Sequence, residues 1–403
     1  MALPMSTMAQ MILLSSEKSK NKLWLDPNSI FDYNQYEKSR WGVGLQYDIR
    51  FKNEKNQTED VEPGRFKALS FSGYGAYGYA DQRFKWGVKA DLQGASKRQS
   101  HTYLGFIHDL IPAASRTLTT PAINVLSSPS SFMTRLFGDT YRLTLGYSRK
   151  ATKKLSESVE LRLSRERPLY NPLGQPDQWG LLYPDSYSDL KSLEPYNFAE
   201  LQFHLEHTSG WSGKMEIGIF KTDAFSVRAF LRTLVQYNRI FTYSFLDLYT
   251  FGQAGFVKGN ESVPYSRLFD LGGSWGSPLL LNHALLTTRQ NEFTSSLFCM
   301  VNLKLTTHDP LFDFYNTMIA MGTSPHPFIL ANAAWGVNWE ETDYRAPKKG
   351  IAEVGAGIDG VFVWGMVYWG FGMVYRLTPA SAAYHLPDPK DNLTFLFTAH
   401  LDL

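Results

Sequence analysis

Gly272-Gly273-Ser274-Trp275-Gly276 satisfies the G-x-S-x-G pattern that presents a nucleophilic serine in α/β-hydrolases. That chemistry needs a strand before the serine and a helix after it, which aim the hydroxyl and build the oxyanion hole. Neither flank is present. Leu279 to Leu286 is short and leads into another strand pattern, so the glycines are read as a turn with positive φ angles. His204 and His207, with Glu206, have the residue types of a metal site. On a strand, however, positions three apart face opposite ways and cannot converge on one ion. The other seven histidines show no ligand spacing. A serine, a histidine and an orienting acid on neighbouring strands could also hydrolyse an ester. His400 with Ser70 or Ser72 permits such a grouping where the first and last strands meet, but nothing indicates it. The chain is therefore expected to be no enzyme, with no catalytic residue, no metal and no cofactor.

Charge is more telling than nucleophiles. Arg142, Glu160, Arg162, Glu200, His204, Glu206, Lys214, Glu216, Arg228 and Arg232 lie in segments of alternating character, and all are expected on an inward face. Mixed signs in a narrow interior tend to lock loops or plugs in place, whereas wide pores separate their charges across a constriction. A mostly occluded lumen is one reading. Charges that merely solvate the interior are the other.

The elements that would position these residues are strands. At the carboxyl end Leu393, Phe395, Phe397, Ala399, Leu401 and Leu403 alternate with polar residues, which gives a strand with one unbroken apolar face. Near the front, Trp41, Val43, Leu45, Tyr47, Ile49 and Phe51 alternate with Gly42, Gly44, Gln46, Asp48 and Arg50. A soluble antiparallel sheet alternates too. Repetition along the chain with aromatic residues at strand ends favours a membrane barrel with aromatic girdles. The 22 Tyr, 27 Phe and 10 Trp agree, and no run approaches the ~20 apolar residues of a spanning helix. A net charge of +2 without a basic stripe gives no reason to invoke nucleic acid. The single Cys299 is expected to be a packed thiol.

Fifteen strands can be marked, near 41–51, 66–79, 84–92, 102–109, 141–149, 158–167, 198–207, 214–220, 225–237, 239–256, 292–305, 328–338, 351–359, 362–376 and 392–402. Bacterial barrels have an even strand number, so a sixteenth is expected, best placed between 110 and 140. Segments 168–197, 257–291, 339–350 and 377–391 then fall outside the cell, with short links such as 208–213 and 236–239 on the periplasmic side. Met1 to Ser16 holds a short apolar run, Met11 to Leu14, but lacks the basic region and long apolar region of a secretion signal. Residues 1–32 are therefore set aside as an amino-terminal segment, truncated or replaced, and 33–403 is taken as the barrel.

Tyr33-Asn34-Gln35-Tyr36-Glu37, Trp41-Gly42-Val43-Gly44-Leu45, the run from Phe71 to Tyr79, Phe84-Lys85-Trp86-Gly87 and the run from Gly350 to Asp359 resemble an uncharacterised family of Bacteroidota outer-membrane barrels. Longer members carry an amino-terminal carboxypeptidase-regulatory-like β-sandwich. That family is similar to the surface-antigen superfamily of outer-membrane insertases and two-partner-secretion transporters. In the superfamily a long loop folds into the barrel, and Arg267-Leu268-Phe269-Asp270-Leu271-Gly272-Gly273 matches its approach. The tip differs: Trp275, before Gly276, stands where an arginine belongs, so the resemblance implies a tip anchored by packing. The resemblance also implies a working seam between a first strand holding Trp41, Gly42, Val43 and Gly44 and a last strand holding Phe395, Phe397 and Leu403. The expected fold is all-β, a transmembrane antiparallel barrel of about 16 strands with a long loop in its lumen. The expected role is assistance in outer-membrane protein assembly or translocation; the alternative is a passive pore or scaffold. The expected partners are outer-membrane lipids and other outer-membrane proteins or lipoproteins.

Overall fold

A computed structural model describes residues 12–14, 21–26, 31–34, 38–50, 66–79, 82–94, 99–112, 137–169, 195–222, 226–271, 285–287, 294–307, 326–339, 350–363, 367–378 and 393–401. The strands are β1 (Ile12–Leu13), β2 (Lys22–Asp26), β3 (Phe31–Asn34), β4 (Lys38–Arg50), β5 (Phe66–Gly78), β6 (Phe84–Gly94), β7 (His101–Pro112), β8 (Phe137–Lys150), β9 (Leu155–Leu169) and β10 (Tyr196–His207). They continue as β11 (Trp211–Lys221), β12 (Arg228–Thr242), β13 (Leu246–Gly259), β14 (Phe269–Asp270), β15 (Thr294–Ser295), β16 (Leu297–Thr307), β17 (His326–Val337), β18 (Ile351–Val363), β19 (Val367–Arg376) and β20 (Leu393–Leu401).

From β4 to β20 each long strand pairs antiparallel with the next, β13 passing directly to β16. All fifteen expected strands are there. The sixteenth position lies elsewhere than expected. β7 and β8 are paired from His101↔Ser148 to Pro112↔Phe137, so no strand from the intervening segment can stand between them. Instead β2 and β3 both pair with β4 and together fill one position ahead of it. Pairing thus begins upstream of Tyr33. A second departure concerns the hairpin of β12 and β13: β12 runs unbroken through Asn238, and the turn comes at 243–245 rather than 236–239.

Strand polarity puts the strand ends that flank 113–136, 170–195, 260–296, 338–350 and 377–392 on one side of the sheet, called here the loop side. Turns 151–154, 208–210 and 243–245 lie on the opposite, turn side with the end of β20, and so do the strand ends that flank 51–65, 308–325 and 364–366.

The outward face explains the membrane. Leu143, Leu145, Leu161, Leu163, Ile217, Ile219, Val301 and Leu303 are exposed there, flanked by Trp41, Tyr77, Phe84, Tyr141, Trp335 and Tyr375 towards the loop side and by Tyr47, Phe66, Tyr147, Trp211 and Tyr243 towards the turn side. An aliphatic band between two aromatic girdles is what lipid requires of a barrel exterior. Cys299 is also exposed on this band, opposite Trp335, and is not the packed thiol expected.

The inward face shows that the sheet is curled. Arg40 of β4 makes two hydrogen bonds of 2.8 Å to Asp109 of β7. These strands are three places apart, about 14 Å in a flat sheet. Glycine lets inward aromatics lie across the neighbouring strand: a Cβ on Gly87 would stand 2.5 Å from the Tyr74 ring, and one on Gly146 would strike the Tyr103 ring. Tyr74 thereby reaches Asp109, and Tyr103 reaches Glu160. An antiparallel barrel with this exterior is an outer-membrane architecture, and that is where the fold places the chain.

Candidate functional site

The connection between β13 and β16 enters the concave side as a strap. A short 3-10 turn, Tyr265–Arg267, hands the chain to Phe269–Asp270, which pairs with Thr294–Ser295. Apolar residues do most of the docking. Leu268, Phe269, Leu271 and Leu285 are buried with Phe198, Phe230, Phe298 and Met300 of the wall. Each such side chain contributes roughly 1.5–3 kcal/mol relative to exposure. Phe269, fully buried, packs with its ring centroid 4.8 Å from Phe298 and lies under the Arg232 guanidinium at 4.3 Å.

Two polar anchors fix the strap to opposite walls. Arg267 donates from Nε to Glu200 of β10 at 2.6 Å and from Nη1 to Glu166 of β9 at 3.1 Å. Its guanidinium also sits 3.8 Å from the centre of the Phe198 ring. Burial alone would weaken its hold on the proton; Glu200 and Glu166 reverse this and hold Arg267 firmly as a cation. At the other end the backbone N–H groups of Leu286 and Thr287 donate to Glu353 of β18, each at 2.8 Å. The Thr287 hydroxyl and Asn332 donate to the same carboxylate. Arg376 of β19 completes the anchor by donating to the Thr287 hydroxyl at 3.0 Å and to its carbonyl at 2.6 Å. The two anchors are joined inside the strap, where Leu285 N–H donates to the Leu271 carbonyl at 3.4 Å. β10 and β18 are six places apart, about 29 Å in a flat sheet, so the wall wraps around the strap.

Of the inward charges expected, Arg142, Glu160, Arg162, Glu200, Glu216 and Arg232 are buried, and Glu166 joins them. Arg162 Nε donates to Glu160 at 2.8 Å, and Arg232 donates to Glu216 at 2.6 Å, with Lys214 Nζ 3.4 Å from the same carboxylate. Arg228 pairs with Glu261 at the mouth of the strap at 2.5 Å. Glu206 does not join the cluster. It occupies the last inward position before the turn at 208–210, where solvent reaches it, and is exposed.

Gly272, Gly273, Ser274, Trp275 and Gly276 lie outside the described residues. Arg267 and Phe269 are the described members of that motif, and Arg267 makes an inward ion pair. The seam residues need a correction. Trp41 pairs with Phe31 on one side and Tyr77 on the other, and Gly44 with Asp26 and Tyr74, so β4 is an interior strand. Val43 and Gly42 share that strand. Phe395 and Phe397 are on β20, opposite Met373 and Phe371, and Leu403 lies outside the described residues. Nor do Ser70 and Ser72 adjoin His400, because β4 and the β2/β3 position intervene. His207 bonds Ser209 in the turn. Among the described residues no group of three or more His, Cys, Asp or Glu side chains could hold a metal ion.

No protein-family model and no curated protein sequence matches the chain. Among solved structures it is similar to BamA from Haemophilus ducreyi lacking POTRA domains 1–3, with 10% identity and a TM-score of 0.49, over 97% of this chain and 75% of that one. It is similar also to CdiB from Escherichia coli, with 10% identity and a TM-score of 0.44, over 97% of this chain and 67% of that one. CdiB from Acinetobacter baumannii gives 10% identity and a TM-score of 0.44 over 95% of this chain, which spans only 60% of that protein.

Proposed function

We propose that this barrel assists the assembly or translocation of other outer-membrane proteins and works at the edge where its sheet begins. The supporting observation is the occupant of that edge. Ile12 and Leu13 pair antiparallel with Leu25 and Trp24, and Leu14 N–H donates to the Leu23 carbonyl at 2.8 Å. β1 therefore runs in the direction of β20 and stands where a closing last strand would stand. Among the described residues β20 is paired along one edge, to β19. An edge that accepts a short added strand has the backbone chemistry to template an incoming one. The strap supports the same reading, because its docked residues take up interior space that a diffusive pore would leave open.

The test is a lock on the edge. Cysteines at Ile12 and Leu25, in a Cys299→Ser background, stand opposite each other in an antiparallel ladder, whose usual Cα separations a disulfide spans. Oxidation should abolish the assembly role in cells that depend on the protein and reduction should restore it. If oxidised cells grow normally, the chain is a passive pore or scaffold.

A further inference from the structure

The buried charges between β8, β9 and the strap do not balance. Five cations, from Arg142 to Arg267, face four carboxylates, Glu160, Glu166, Glu200 and Glu216, so one positive charge is uncompensated among the described residues. A buried charge without a partner is costly enough that a counter-ion or an unmet ligand is the usual remedy. Arg142 is the cation of this set that no ion pair holds; Glu200 and Glu166 act on it only through space. Only 6% exposed, it makes no hydrogen bond or ion pair among the described residues, and its Nε is buried without a partner.

Two further donors beside it are in the same condition. Ser164 stands directly opposite Arg142 in the β8–β9 ladder, is 7% exposed, and its hydroxyl is buried without a partner. Arg267, 8% exposed, spends Nε and Nη1 on Glu200 and Glu166, while its Nη2 is buried and unpaired. Glu166 is two residues beyond Ser164 on the same face of β9, which brings Arg267 to the Arg142–Ser164 pair. Arg142 and Arg267 feel each other's charge directly. Three residues, each more than nine-tenths buried and each with one polar atom that lacks an acceptor, lie together where the charges fall one negative short.

The geometry points to a binding site for one small monovalent oxyanion of the carboxylate class, held by Arg142, Ser164 and Arg267. Two guanidinium groups and a hydroxyl match the two oxygens of a carboxylate, and a single negative charge completes the balance. The bound anion would also stitch the strap to β8 and β9, since Arg267 belongs to the strap and the other two donors to the wall. The site stands apart from the assembly reading: a passive barrel could carry it equally well.

Equilibrium dialysis of radiolabelled acetate against the detergent-folded full chain tests this directly. One saturable equivalent per chain is expected. Arg142→Gln should abolish it, and Ser164→Ala, which removes one oxygen and leaves packing alone, should weaken it several-fold. No saturable binding to the unaltered chain, or binding unchanged in Ser164→Ala, would overturn the assignment. Should Arg142→Gln fail to fold, the serine variant decides alone.

Discussion

The front of the sheet, β4 to β7, and the wall that continues from β7 to β12 use one device in two ways. In each, an inward tyrosine lies across a glycine of the next strand and meets a carboxylate two strands on: Tyr74 over Gly87 to Asp109, and Tyr103 over Gly146 to Glu160. The partners of the carboxylates differ. Asp109 is clamped by Arg40, three strand places away, whereas Glu160 is held by Arg162, two residues along its own strand. The front thus spends its ion pair on curvature. Local pairing in the wall leaves Glu166 and Glu200 free to receive the strap through Arg267. Charge inside this barrel therefore does two jobs, bending the sheet in one half and holding a loop in the other.

Arg40→Ala and Arg267→Ala separate those jobs with the largest effects expected. Either change strands a buried carboxylate, and loss of one partner of a buried pair costs about 3–5 kcal/mol. Both variants should lose stability to that extent in urea unfolding of the lipid-refolded barrel. Planar-bilayer conductance should rise for Arg267→Ala alone, because only that change frees the strap. Equal conductance in the two variants would mean that the strap is held by Leu268, Phe269 and Leu271 without help from charge.

Gly87→Ala should follow in size. Its Cβ would stand 2.5 Å from Tyr74 Cε1 and 3.0 Å from Ile107 Cγ2, so the ring must leave its seat and with it Asp109. Overpacking of this kind typically costs about 1–3 kcal/mol. Pairing the variant with Tyr74→Phe, which keeps the ring and drops the hydroxyl, tells crowding from the lost hydrogen bond. If Gly87→Ala unfolds at the parent's urea concentration, the tyrosine–glycine device has no structural weight at the front.

Most of the strand order is legible in the sequence because lipid and lumen impose opposite demands on successive residues, and fifteen strands carry that alternation plainly. Where the rule fails, the physical reason is local. β2 and β3 share one strand position in pieces of five and four residues, too short for a period to stand out. The β12–β13 turn, Tyr243-Ser244-Phe245, has no glycine or proline, while Asn238-Arg239 looks like a turn and lies inside a strand. The strap's anchors are hidden for another reason. Arg267 is 101 residues from Glu166 and 67 from Glu200, and no spacing rule reaches across folded strands. Family resemblance pointed at this loop through its approach, Arg267 to Gly273, but named no wall partner for Arg267. Inward charge was visible as a pattern; which carboxylate meets which cation was not.

The smallest effect expected, and the sharpest check on the front, is Gly73→Ala. Gly73 and Gly75 face outward and, with Val43, Leu45, Phe84, Trp86 and Val88, line a shallow apolar dent of about 500 Å³ in the lipid-facing surface. A Cβ on Gly73 would meet the Gly87 carbonyl oxygen at 3.4 Å and Val88 Cγ1 at 3.6 Å, which is ordinary contact. No left-handed backbone demands glycine there, as the positive-φ glycines among the described residues are Gly210 and Gly350. Alanine then restricts the unfolded chain without straining the folded one, an effect worth about 0.4–1 kcal/mol of stability. Urea unfolding should show a small gain for Gly73→Ala beside the clear loss for Gly87→Ala, its cross-strand neighbour but one on the opposite face. Were both changes to destabilise alike, the front would depend on close backbone approach throughout, and its tolerance would end at the inward face and the outward face together.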